Sequence, residues 1–74
     1  MELSPGIVIQ ESICFGKPII KGTRVPVALI LGKLAGGMTY EEAMSEYDLT
    51  RENILAVLDY AARHISEEEI RAVG

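Results

Sequence analysis

Nine consecutive residues, Gly16-Lys17-Pro18-Ile19-Ile20-Lys21-Gly22-Thr23-Arg24, place three cations within eight positions, beside two glycines and a hydroxyl. Glycines let a backbone approach a ligand closely, and cations attract phosphate and carboxylate. Lys17, Lys21, Thr23 and Arg24 are therefore candidate contacts for a nucleic-acid backbone or an acidic partner surface. The segment is not a P-loop, because the order G-x-x-x-x-G-K-[ST] is absent. The plainer alternative is a solvated hairpin whose glycines serve its turns. A second constellation is Thr50-Arg51-Glu52-Asn53, at the start of a helix in a helix-turn-helix pattern. Arg reads guanine and Asn reads adenine in bidentate fashion, so Thr50, Arg51 and Asn53 are candidate DNA contacts. Glu41, Glu42, Glu46, Glu52 and Asp59 lie on the same two helices and would repel phosphate. A three-helix packing that never meets DNA stays open as the alternative.

Catalytic chemistry is not expected. A nucleophile needs an oriented base beside it, and nothing in the spacing brings Cys14 and His64 together. Cys14, next to Phe15, reads as a small semi-buried apolar residue. His64 reads as a partner for the last carbonyls of a helix that ends near it. One Cys and one His cannot supply the usual zinc ligand set, and no cofactor is implied. A single Cys also excludes an internal disulfide and suits a reducing cytoplasm.

The elements that would position these residues belong to a chain of 74 residues, read as one domain over 1–74. Hydrophobic residues make up 49% of it, which is high for a domain that hides so little of its surface. Self-association follows as an expectation. The net charge is −4, unevenly spread: residues 1–37 balance to +2 and residues 38–74 to −6. Two faces of opposite sign suit two kinds of partner, and the acidic total disfavours simple attraction to nucleic acid. No apolar run nears the length of a membrane span; the longest is Val25 to Leu31. Nothing near residue 1 reads as a signal peptide.

Residues 1–6 read as a loose lead-in with a turn at Pro5-Gly6. Ile7-Val8-Ile9 and Ile19-Ile20 are short β-branched pieces that can pair as a hairpin. Pro26 opens a helix that runs to about Ala35 and stops at Gly36-Gly37. Val27, Ile30, Leu31 and Leu34 follow the i, i+3, i+4, i+7 rule. The helix is apolar nearly all round, which makes these four the candidate homodimer interface. Gly32 and Gly36 form a G-x-x-x-G that says only that another backbone can come close. Thr39 with Glu42 forms a capping box for a helix over about 40–47, and Thr50 caps a third over about 51–64. Leu49 and Ile54 are spaced as a hydrophobic staple across that cap. Tyr40, Tyr47 and Tyr60 read as core or interface. Ser66 with Glu69 predicts a short fourth helix over 67–73, docked through Ile70 and Val73. The expected fold is mainly α: a short N-terminal β-hairpin, a three-helix bundle containing a helix-turn-helix, and a short C-terminal helix.

The run from Gly16 to Val27 resembles the hallmark of a small prokaryotic family catalogued as domain of unknown function 433. The likeness continues through Leu34-Ala35-Gly36-Gly37-Met38-Thr39, Glu41-Glu42, Tyr47-Asp48-Leu49-Thr50, Ile54 and Leu58-Asp59-Tyr60-Ala61, covering roughly residues 7–62. The Tyr47-Asp48 junction departs from the family, which often has proline before the leucine. The resemblance implies a homeodomain-like helical fold with a small β-element, commonly dimeric. It also implies an antitoxin of a type II toxin–antitoxin pair, whose usual partner is a toxin with a PIN-like ribonuclease domain. Autoregulation of its promoter through the helix-turn-helix is a further expectation. No catalytic residue is carried over. A small transcriptional regulator without a toxin partner, and an interaction module that does not bind DNA, remain as alternatives.

Overall fold

The structure, a computed structural model, describes the backbone of residues 1–73 and the side chains of residues 1–66. Three short strands come first: β1 (Glu2–Ser4), β2 (Ile7–Val8) and β3 (Ile19–Ile20). Three helices follow: α1 (Val27–Ala35), α2 (Tyr40–Tyr47) and α3 (Arg51–Val73). The strands form an antiparallel sheet in the order β1-β2-β3, with Ile7 opposite Ile20 and Val8 opposite Ile19. The expected hairpin is thus one pair of a three-stranded sheet with β2 at its centre, and the residues read as a loose lead-in form the other edge strand.

The sheet and the helices share one core. Ile7, Ile20, Val27, Ile30, Ala43, Leu49, Ile54 and Val57 are buried together. The hairpin turn at Pro5-Gly6 packs directly on α3. Gly6 has φ +84°, and a Cβ there would meet the Ala56 Cβ at 3.0 Å. Only glycine satisfies both the left-handed backbone and that close approach.

The punctuation of α1 and α2 follows from local chemistry. At the end of α1 the Met38 N–H donates to the Lys33 carbonyl and the Gly37 N–H to the Leu34 carbonyl. With Gly37 at φ +102°, this is a Schellman ending. Thr39 and Glu42 form the reciprocal capping box at the start of α2. The bond from the Thr39 N–H holds the Glu42 carboxyl below the usual carboxylate range. Asp48 ends α2 in the left-handed conformation at φ 54°, which Asp tolerates better than most residues.

Two expectations about the C-terminal third are corrected. No break occurs at Ser66, so the third and fourth helices are one helix, α3. Neither Gly nor Pro lies between Arg51 and Val73, and the run of Glu, Ala and Arg favours continuation over a local cap. His64 consequently lies inside α3 rather than at its end, and its ring packs edge-on against Tyr60, 4.5 Å between centroids. The expected docking of Ile70 and Val73 lies outside the described side chains.

Candidate binding surface

The cation-bearing segment runs through β3, with Lys17 just before the strand, and then folds into a stiff loop between β3 and α1 that carries Lys21 and Arg24. The Ile20 N–H donates to the Val25 carbonyl at 3.0 Å, and the Val27 N–H to the Pro18 carbonyl at 3.0 Å. Thr23 locks the loop from inside. Its hydroxyl donates to the Ile20 carbonyl at 2.7 Å and accepts from the Val25 N–H at 3.0 Å. A candidate ligand contact is therefore a structural clasp, a local side chain–backbone turn of the kind Ser and Thr favour. Lys21 is drawn to Glu2, 3.7 Å away. The Gly6 N–H and the Lys21 ammonium together hold the Glu2 carboxyl below its ordinary range. Lys17 and Arg24 stay exposed, and neither is in an ion pair among the described residues.

A second turn braces this loop from the side. Cys14, Phe15 and Gly16 are all left-handed, at φ 53°, 56° and 77°. For Cys and Phe that conformation costs roughly 1–2 kcal/mol each. The Cys14 thiol points toward the Arg24 carbonyl at 3.6 Å, joining the two turns. Phe15, at the tip, is 98% exposed. Beside the turns lies a cleft of about 580 Å³, with Gln10, Ile13, Arg24, Tyr47 and Asp48 in its walls. Sequence reasoning gives Gln10, Asp48 and Phe15 no role and reads Tyr47 as core or interface. The Tyr47-Asp48 junction, where the chain departs from the family pattern, is the one feature of the sequence that falls on this cleft.

The candidate DNA contacts sit at the start of α3 and are engaged locally. Thr50 and Asn53 cap the helix reciprocally: the Asn53 N–H donates to Thr50 Oγ1 at 3.1 Å, and the Thr50 N–H to Asn53 Oδ1 at 2.9 Å. The Arg51 guanidinium lies 5.5 Å from the Tyr40 ring centroid, within cation–π range. The candidate interface residues of α1 divide. Val27 and Ile30 are buried in the chain's own core, at 3% and 0% exposure, which removes them from any interface with a second copy. Leu31 and Leu34 remain half-exposed.

Among the described residues, no group of three or more His, Cys, Asp or Glu is placed to hold a metal ion, and no helix is long and apolar enough to cross a membrane. A small sheet capping three helices, with a braced cation loop at the junction, defines the architecture. The model of the family described as protein of unknown function (DUF433) matches residues 7–61. The chain belongs to that family. It is also similar to the crystal structure of a DUF433 member protein from Anabaena variabilis ATCC 29413, with a TM-score of 0.76 and 25% identity. That similarity covers 97% of this chain and 72% of the other. No curated protein matches the chain.

Proposed function

We propose that this protein is the non-enzymatic antitoxin of a type II toxin–antitoxin pair, acting in the cytoplasm by binding and inhibiting a PIN-like ribonuclease. The observation that carries this reading is the braced loop. Thr23 and the Cys14–Gly16 turn stiffen it, while Arg24 stays exposed on it and Lys17 stays exposed just before β3. A preorganised cationic loop loses little freedom on docking, and it suits clustered carboxylates such as those with which a nuclease holds its metal ions.

In the same proposal α1, α2 and α3 form a homeodomain-like helix-turn-helix, and Thr50, Arg51 and Asn53 meet promoter DNA. One observation favours a second reading, an interaction module without DNA binding: Asn53 Oδ1 is already committed to the Thr50 N–H. A regulator without a toxin shares the DNA half of the first reading.

Co-expression with the toxin encoded alongside tests the leading reading. Lys17→Glu with Arg24→Glu is expected to abolish inhibition and co-purification, while Arg51→Ala leaves both intact. Inhibition that survives the double reversal rules out the loop as the inhibitory surface. A sequence-selective gel shift that weakens with salt separates the DNA-binding readings from the interaction module.

A further inference from the structure

Phe15 has no packing explanation within its own chain. It is a large aromatic side chain at 98% exposure, held out by two consecutive left-handed non-glycine residues, Cys14 and Phe15. The turn is closed behind it by the Gly16 N–H on the Ile13 carbonyl and the Lys17 N–H on the Cys14 carbonyl. Lys17 follows two positions later, and Arg24 is tied to the turn through Cys14. The result is an exposed apolar knob with two exposed cations on the backbone adjoining it.

The same molecule carries a matching recess. Between the β1–β2 turn and the first half of α3 lies an open groove of about 450 Å³. Pro5, Leu55 and Ala56 supply its apolar lining, and Leu55 is 46% exposed. Glu52 and Asp59 stand in its walls, Asp59 paired with Arg63 at 2.9 Å. Polarity and charge complement the knob: aromatic into apolar, Lys17 and Arg24 toward carboxylates. The uneven charge along the chain, +2 over residues 1–37 and −6 over 38–74, has the same sense.

We infer that the occupant of this groove is Phe15 of a second copy of the chain, with Lys17 and Arg24 set against Glu52 and Asp59. The contact is separate from α1, whose stripe is largely spent on the core. It draws on the same two cations as the toxin reading, so toxin and second copy would compete for them, but the purified chain alone tests it and its failure leaves the toxin reading untouched. A two-fold axis relating the copies uses each knob and each groove once, as closed symmetric dimers do.

Phe15→Gly is the informative variant. Glycine accepts φ 56° without strain, so the fold is kept while the knob is removed. Sedimentation equilibrium is expected to show a dimer for the wild type at tens of micromolar, and association about 100-fold weaker for Phe15→Gly, as befits an interface anchor. Its melting temperature at dilutions where both proteins are monomeric should be no lower than wild type. A direct test of the pairing uses two Cys14→Ser proteins, one with Phe15→Cys and the other with Leu55→Cys. Mild oxidation of the mixture is expected to give a cross-linked heterodimer. A wild type that stays monomeric at hundreds of micromolar overturns the inference. So do a Phe15→Gly variant that dimerises normally and a mixture that forms no cross-link.

Discussion

Replacing Thr23 with Val removes one hydroxyl and two hydrogen bonds while keeping shape and β-branching. The bond given to the Ile20 carbonyl at 2.7 Å is lost, but that carbonyl keeps the Thr23 N–H at 3.0 Å. The Val25 N–H loses its 3.0 Å acceptor in a half-buried setting. Two ordinary hydrogen bonds contribute about 1 kcal/mol each net, so Thr23→Val should cost about 2 kcal/mol. For a domain of this size that lowers the melting temperature by about 8–16 °C. Thr23→Ser keeps the hydroxyl and should lose less than about a third of that. Thermal unfolding followed by circular dichroism, with urea titration for the free energy, measures both variants. If Thr23→Val melts within about 2 °C of wild type, or Thr23→Ser falls as far, the clasp is not what holds the loop. A normal melt with lost partner binding would return Thr23 to the contact residues.

Other positions give sharp outcomes. Asn53→Ala should cost about 1 kcal/mol in urea unfolding, because it opens the cap of α3, and any effect on DNA binding must be read after that loss. Gly6→Ala should destabilise by about 2 kcal/mol or more, from the left-handed backbone and the Ala56 contact together, and differential calorimetry reads this directly. The Glu2 and Glu42 carboxyls are held below their ordinary values, so their contributions are present above about pH 4.5 and fade as pH falls through the lowered values. Acid titration of stability should therefore decline below pH 4.5, and Glu42→Ala should make that decline shallower.

Much of this architecture was legible because it is set by local chemistry. Thr39 with Glu42 and Gly36-Gly37 fix helix ends within a few residues of themselves, and the structure places those ends where the residues indicate. Val27, Ile30, Ile54 and Val57 announce buried faces by their spacing, but spacing cannot say whether a face is covered by the same chain or another. That is why Val27 and Ile30 were assigned outward. Strand β1 was illegible because three residues, Glu2 to Ser4, carry no period. The left-handed turn at Cys14 and Phe15 went unread because neither residue type signals it. At Ser66 a capping-box pattern was present, yet helix propensity on both sides outweighed it. In the candidate surface, charge alone marks Lys17 and Arg24 as candidates. The clasp role of Thr23 and the capping role of Asn53 needed distances, since a hydroxyl or amide that binds a ligand reads the same as one that binds its own backbone.

The 3.0 Å approach between Gly6 and Ala56 also bears on how the chain folds. It joins positions fifty residues apart, so the first hairpin finds its seat only once α3 exists. The last-made helix and the first-made strands therefore complete each other in a single step of high sequence separation. Amide hydrogens of Ile7 and of Val57 should accordingly exchange by the same global opening. A fragment that begins at α1 would leave Ile30 and Ile54 without their apolar cover. The three helices are thus not a detachable module carrying an ornamental sheet, because Ile7 and Ile20 of the sheet close the same core that the helices share.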